Sequence, residues 1–153
     1  MKIILFLLIS LTAFSVEARG RRGQSSSGGS TSASQVTPLE KYEGPVLPIE
    51  KALVEKVNQH RLANGLRSLI IDPVLKLSAR RHCVWMLNNN SMVHSTGVAE
   101  NIAQGQPTVE HVIQSWKNSS GHNANMLNPN YTKTGMIGYA GPNGSVFWCQ
   151  QFN

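Results

Sequence analysis

Hydrophobic residues at helical spacing define the first element of the chain. Ile49, Leu53 and Val57 fall on one face of a helix in the stretch IEKALVEKVNQHRLANG. Pro48 stands immediately before this pattern, where proline is tolerated because the first helical N–H needs no partner. Asn64-Gly65 follows it and favours a turn. The pattern therefore predicts one helix between Pro48 and Asn64-Gly65.

Two further segments carry helical periodicity and clear start and stop signals. The second helix is predicted to begin at Asp72-Pro73, an N-cap residue followed by proline, and to end in the run of asparagines at 88–90. The third is predicted in TVEHVIQSWKNSS, with Thr108 as its cap, Trp116 in its apolar stripe and residues 118–121 as its end.

The hydrophobic period changes near the C-terminus. The stretches TGMIGYA and SVFWCQQFN are typical of strands, and GPNG stands between them. Asn143-Gly144 is a strong signal for the turn of a β-hairpin. Helices followed by a hairpin, with short strands between, predict an α+β sandwich.

The N-terminal part of the chain has a different composition. Residues 1–18, MKIILFLLISLTAFSVEA, have the charge, apolar run and small residues of a signal peptide. We therefore expect a secreted, extracellular protein with no transmembrane segment after cleavage. Residues 19–48 are rich in glycine and serine and are interpreted as a flexible linker. Residues 49–153 remain as one domain.

Charge and cysteine content narrow the classes of function. The formal net charge is +6 and the isoelectric point is about 9.7, but no helix combines basic and aromatic residues as a nucleic-acid reader does. We therefore expect no nucleic-acid partner. Cys83 and Cys149 can form a disulfide in an oxidising compartment, or remain two buried thiols. We expect the disulfide, although spacing alone does not show that the side chains meet.

The stretch HSTGVAEN, residues 94–101, contains the strongest candidates for chemistry. His94 and Glu100 lie six positions apart among small residues, and His122 follows a glycine in a polar stretch, so these side chains can point into a cleft. Two histidines, one carboxylate and a water form a common zinc site, but sequence separation does not give the distance between His94 and His122. The other three histidines fall within predicted helices, where we expect partly exposed or solvated residues: His60, His82 and His111.

Several motifs, in their order along the chain, resemble those of the CAP superfamily, whose domain is also called the SCP domain. This superfamily includes cysteine-rich secretory proteins, insect antigen 5 and plant pathogenesis-related protein 1. The resemblance runs from about Ala52 to Phe152. Its motifs are LVEKVNQHRLANGLRSL, VHSTGVAEN, QSWKNSSGHNANMLNPNYTKTGMIGYA and VFWCQQF. The chain lacks the cysteine-rich tail of the vertebrate secretory members, so the resemblance implies no ion-channel role.

The resemblance implies a three-layer α-β-α sandwich with a cleft that holds two histidines and two acidic residues. The histidines correspond to His94 and His122, and the first acid corresponds to Glu100, which Asn101 follows. Ser119 stands where the family often has the second acid, as in many bacterial relatives. Ala99 replaces a glycine, which narrows the backbone freedom before Glu100.

The sequence and the resemblance leave three hypotheses for the function. The first is a non-enzymatic binding module without a required cofactor, because family members are described as binding sterols, fatty acids or cell-surface partners. The chain shows no obvious nucleophile with an adjacent base, since Ser95 and His94 are only loop neighbours. The second is a zinc-dependent, peptidase-like hydrolase with His94 and His122 as ligands and Glu100 as general base. The third is a structural cluster in which Glu100 accepts hydrogen bonds from both imidazoles. We favour the binding module.

The three tryptophans belong to the amphipathic elements. Trp85 and Trp116 fall in predicted helices and Trp148 in the last strand. We interpret all three as core or rim residues that pack against neighbours.

Overall fold

The structure is a computed structural model that describes residues 42–153. The predicted signal peptide and the linker up to residue 41 lie outside the described residues. The described part contains four helices and four strands: α1 (Pro48–Ala63), β1 (Ile70–Ile71), α2 (Pro73–Asn89), β2 (Ala99–Gln104), α3 (Val109–Asn118), α4 (Ser120–Met126), β3 (Lys133–Ala140) and β4 (Val146–Phe152).

The predicted helix boundaries are confirmed where local signals are strong. The Asp72 side chain accepts hydrogen bonds from the N–H groups of Val74 and Leu75, and Pro73 is the first residue of α2. The same helix ends at Asn90, whose φ of 45° is left-handed, a conformation that asparagine tolerates. Helix α3 begins after Thr108, whose hydroxyl accepts from the N–H of His111.

Helix α4 was not predicted. Ser119 has extended backbone angles, φ −97° and ψ 120°, so α3 ends there and the chain starts a second helix in a new direction. The sequence SGHNANM has little apolar periodicity, and within it Met126 is the buried residue. Hydrogen bonds from Asn125 to β2 hold the helix in place instead.

The sheet has the strand order β1-β3-β4-β2. The predicted hairpin is confirmed: β3 and β4 are antiparallel, and Ile137 lies opposite Cys149. Strand β2 pairs with β4 at one edge, with Glu100 opposite Gln151 and Asn101 opposite Gln150. Because side chains alternate along a strand, neighbouring residues of β2 point to opposite faces of the sheet.

Helices cover both faces of this sheet. On one face, Ile137 and Cys149 pack with Cys83 and Met86 of α2. On the other face, Trp148 and other alternate residues pack in a second cluster with apolar side chains of α1, α3 and α4. Two separate apolar clusters on opposite faces of one sheet confirm the predicted α+β, three-layer α-β-α sandwich.

The predicted disulfide between Cys83 and Cys149 is wrong for this structure. Both cysteines are buried and free. The Cys83 thiol donates to the carbonyl oxygen of Phe147 (3.1 Å), and the Cys149 thiol donates to the Glu100 carboxylate (3.3 Å). Each sulfur therefore has its own acceptor, and both side chains act as small apolar core residues.

The domain also extends before the predicted boundary at residue 49. The Arg80 guanidinium, buried in an ion pair with Glu50, donates to the carbonyl oxygens of Tyr42 and Pro45. Lys76 donates to the carbonyl oxygen of Gly44 (2.7 Å). These contacts hold residues 42–45 against α2.

Candidate functional site

The candidate site is built around the carboxylate of Glu100 on the edge strand β2. The Glu100 side chain is 1% exposed and accepts four hydrogen bonds. On Oε2 the donors are Nδ1 of His94 (3.0 Å) and the N–H of Ser95 (3.0 Å), and on Oε1 they are Nε2 of Gln151 (2.9 Å) and Sγ of Cys149 (3.3 Å). Both oxygens are therefore engaged by protein donors.

This hydrogen bonding decides the charge of Glu100. Burial raises the pKa of the carboxyl group, but the hydrogen bonds from Gln151 and Ser95, the nearby His82 and the hydrogen bond from His94 together lower it below the ordinary value of 4.5. The group is thus an ionised carboxylate at neutral pH. A carboxylate with a low pKa and filled oxygens is a poor general base.

His94 connects the buried carboxylate to the surface. Its side chain is 57% exposed, whereas its Nδ1 contacts Glu100. A carboxylate can only accept, so Nδ1 carries the proton in this contact. Among the hydrogen bonds of residues 42–153, none uses Nε2 of His94, and this nitrogen is free to meet a ligand.

His122 and Asn101 lie at the same edge of the sheet. Asn101 is buried and donates to the carbonyl oxygen of His122 (3.1 Å), and Asn125 donates to the Asn101 oxygen (2.9 Å). The His122 ring lies beside Trp116, with 6.4 Å between ring centroids. Burial and the charge of His94 lower the pKa of His122 below 6.5, so this imidazole is neutral at neutral pH.

The structure thus brings His94 and Glu100 into direct contact and places His122 close enough to be influenced by His94. Ser119 sits at the joint between α3 and α4 as the N-cap residue, without a capping hydrogen bond from its side chain. It shows no hydrogen bond to His94 or Glu100 among the described residues and does not replace a second acid there.

His82 and Gln151 belong to the site, although the sequence did not predict them. The His82 side chain is 13% exposed, and its Nε2 lies 2.8 Å from the Val93 oxygen and 3.6 Å from Oε2 of Glu100. His82 is a partly exposed helix residue, as expected, but its contact with Glu100 was not predicted. Gln151 reaches Glu100 because β4 places the two residues opposite each other. No local pattern signals either contact, since both depend on packing between distant segments.

The donor set does not fit the zinc site that was considered for His94, His122 and Glu100. Within residues 42–153, no three His, Cys, Asp or Glu side chains are grouped to hold a metal ion. Protein donors engage both oxygens of Glu100, so a metal ligand or a water-activating base would have to break these bonds. The zinc-hydrolase hypothesis therefore lacks support from the geometry.

Comparison with known proteins agrees with this fold. The family model described as "Cysteine-rich secretory protein family" (CAP) matches residues 54–152. The uncharacterized protein YkwD of Bacillus subtilis is 40% identical in an alignment that covers 67% of this chain and 46% of that protein. The chain therefore spans less than half of this relative.

Solved structures show the same fold. An outer surface protein of Borrelia burgdorferi superposes with a TM-score of 0.62 at 19% identity, over 67% of this chain and 89% of that one. An extracellular protein of Bacillus anthracis that contains an SCP domain superposes with a TM-score of 0.58 at 26% identity, over 71% of this chain and 44% of that one. The match of the family model across residues 54–152 shows that this chain belongs to the cysteine-rich secretory protein, or CAP, family.

Proposed function

We propose that this protein is an exported, non-enzymatic binding module whose ligand contacts the site formed by His94, Glu100, Asn101, Ser119 and His122. The observation that carries the proposal is the saturation of Glu100 by four protein donors. Glu100 then orients His94 instead of accepting a proton from a substrate or a water. An oriented, exposed imidazole is suited to recognition.

The chemistry of His94 indicates the kind of group that is recognised. In its uncharged form, with the proton on Nδ1, the ring presents Nε2 as a hydrogen-bond acceptor. Met92 and Val93, which precede His94, are 40% and 54% exposed. An acceptor beside exposed apolar side chains suits a ligand with a hydroxyl group on an apolar body, as in a sterol or another lipid. A hydroxyl-bearing cell-surface component shares the polar part of this chemistry.

Export is part of the proposal. Residues 1–18 have the pattern of a signal peptide. Among residues 42–153, no helix has the length and apolar character that crossing a membrane requires. The relatives in Bacillus anthracis and Borrelia burgdorferi are described as extracellular and outer surface proteins. Together these observations favour a secreted, extracellular protein.

Binding can be tested with a fluorescent sterol, dehydroergosterol, and with isolated Bacillus subtilis cell envelopes in a sedimentation assay. We expect saturable binding to one of the two probes that is about tenfold weaker in His94→Ala. His111→Ala is the matched control, because His111 is exposed on α3. The absence of binding to both probes, or equal binding by both variants, would contradict the proposal.

Enzymatic activity can be tested on the same material. The protein is incubated with fluorescein-labelled casein in the presence and absence of added zinc. We expect no hydrolysis above a no-protein control. Zinc-dependent hydrolysis that disappears in His94→Ala would overturn the non-enzymatic function.

A further inference from the structure

Trp85 differs from the other two tryptophans of the chain. Trp116 and Trp148 are 0% and 1% exposed, and each packs in the core, whereas Trp85 is 45% exposed on the outer face of α2. Trp116 and Trp148 are therefore core residues, and Trp85 is a rim residue with an exposed face. A large indole at the surface leaves its apolar area exposed to water unless a ligand covers it.

Trp85 and Arg81 form a ridge between two grooves on α2. They are four residues apart and so lie on the same face of the helix. One groove has a volume of about 450 Å³ and the other about 260 Å³. The first is lined by Val74, Leu77, Ser78, Arg81, His82 and Trp85. The second is lined by Tyr42, Arg81, Val84, Trp85, Asn88 and Asn89. A ligand longer than one ring could occupy both grooves and cross the ridge.

The indole of Trp85 is supported by the protein. The rings of His82 and Trp85 are nearly parallel, with an interplanar angle of 8° and 5.8 Å between centroids. His82 is fixed in turn by the contact of its Nε2 with the Val93 oxygen at 2.8 Å. The aromatic surface is therefore oriented before a ligand arrives, which reduces the entropy that binding costs.

The charge and polarity of the ridge indicate the class of ligand. Arg81 is exposed and forms no ion pair with a carboxylate of residues 42–153, in contrast to its neighbour Arg80, which pairs with Glu50. A guanidinium without a partner matches a carboxylate, to which it can donate two hydrogen bonds. The Tyr42 and Asn88 side chains in the second groove add groups that can bond to hydroxyls.

We propose that the ridge of Trp85 and Arg81, with the grooves on either side, binds an oligosaccharide that carries carboxylate groups. The apolar C–H face of one sugar ring packs on Trp85, and the carboxylate of that ring or the next pairs with Arg81. Neighbouring sugars extend into the two grooves, where polar side chains meet their hydroxyls. His82 lines the first groove and also lies near Glu100, but the ligand contacts proposed here include neither His94 nor Glu100 and do not rest on the function proposed for them.

The tryptophan content allows a direct measurement. Trp85 is the exposed one of three tryptophans, so acrylamide quenching of fluorescence reports mainly on this side chain. Tetragalacturonate, an oligosaccharide of uronic acids, is titrated into the full protein, and neutral cellotetraose and polyglutamate serve as comparison ligands. We expect tetragalacturonate to bind saturably and to protect Trp85 from acrylamide. Cellotetraose and polyglutamate should each bind at least about fivefold more weakly.

Variants separate stacking from general attraction of charge, with affinity measured by calorimetry. Trp85→Ala should bind tetragalacturonate at least about tenfold more weakly. Arg81→Gln should weaken binding about fivefold, whereas Lys117→Gln, which removes one exposed charge on α3, should leave it unchanged. His94→Ala should also bind normally, so failure of the other proposed site is distinguishable from failure of this one.

Several outcomes would overturn the proposal. They are the absence of saturable binding, equal binding of polyglutamate, equal losses in Arg81→Gln and Lys117→Gln, and normal binding by folded Trp85→Ala. Protection of Trp85 that grows with protein concentration without any sugar would also overturn it, because it would identify the ridge as a contact between two copies of the chain. Circular dichroism of each variant verifies that the fold is retained.

Discussion

Substitution of Glu100 by glutamine tests the central feature of the site with little change in shape. The carboxylate accepts four hydrogen bonds while its side chain is 1% exposed. A glutamine keeps one oxygen but places an NH₂ group where the other oxygen stood. Two donors therefore lose their acceptor, either His94 and Ser95 or Gln151 and Cys149, and the other two keep only a neutral one.

The size of the effect follows from these contacts. A hydrogen bond to a charged group contributes roughly 1.5–3 kcal/mol, so the loss of two such bonds costs about 3 kcal/mol in free energy of unfolding at pH 7. For a domain of this size that corresponds to a midpoint about 12 °C lower. The cost includes the donors that remain buried without an acceptor.

The pH dependence of the effect gives a second, independent criterion. Because the pKa of Glu100 is lowered in the folded state, its contribution is fully present above the ordinary value of 4.5 and is lost as the pH falls through the folded pKa. The stability difference between the parent and Glu100→Gln should therefore be constant from pH 7 to about pH 5 and shrink below pH 4.

Urea unfolding followed by circular dichroism at several pH values measures this difference. Glu110→Gln is the matched control, because Glu110 is exposed and its only ion pair is with the exposed Lys56 at 3.7 Å among the described residues. Its unfolding midpoint should stay near that of the parent. A loss below about 1 kcal/mol for Glu100→Gln, or a loss that is the same at pH 7 and pH 3, would refute the assigned role of Glu100.

Three other predictions concern the thiols, the packing of α2 and metal binding. Cys83 and Cys149 should resist alkylation in the folded protein, because burial raises the pKa of the Cys83 thiol to about 12 and that of the Cys149 thiol well above 9.0. Both thiols should react in urea without reductant, and intact mass measures the extent of alkylation. Gly135→Ala should cost about 3 kcal/mol or prevent folding, because its Cβ would lie 2.1 Å from the backbone of Leu75, as measured by thermal unfolding. Calorimetric titration should show that zinc binds more weakly than micromolar, because the site offers no group of three ligands among residues 42–153.

Each of these predictions has a clear contrary result. Thiols in urea that react only after reduction would restore the disulfide between Cys83 and Cys149. Gly121→Ala is the matched control for Gly135→Ala, since a Cβ at residue 121 meets nothing within 4 Å, and equal stability of the two variants would contradict the close packing of α2 on β3. Micromolar zinc binding that disappears in His122→Ala would show that the site rearranges to accept a metal.

Local signals in the sequence determined most of the secondary structure. Pro48, Asp72-Pro73 and Thr108 mark the starts of three helices, and Asn143-Gly144 marks the hairpin turn, as the structure confirms. These features act through backbone hydrogen bonds and dihedral angles within a few residues, so they can be read without the fold. Helix α4 was not predicted from the sequence because hydrogen bonds to β2 stabilise it, and its own hydrophobic periodicity is weak.

The sequence also identified part of the site. The short spacing of His94 and Glu100 and the resemblance of the surrounding motif to the CAP superfamily placed these two residues together, and the structure shows them 3.0 Å apart. Family membership is shown by the match across residues 54–152. The binding function and the ligand remain proposals that the experiments above test.

Tertiary structure alone decided the remaining features. The register of β2 on β4 places Gln151 opposite Glu100. The packing of α2 on the sheet brings His82 to the same carboxylate. It also gives the thiols of Cys83 and Cys149 separate hydrogen-bond acceptors, so they do not pair with each other. Trp85 and Trp116 both belong to amphipathic helices, yet Trp116 faces the sheet and Trp85 faces solvent. These outcomes depend on which faces of distant segments meet, and the amphipathic pattern of one segment contains no information about its partner.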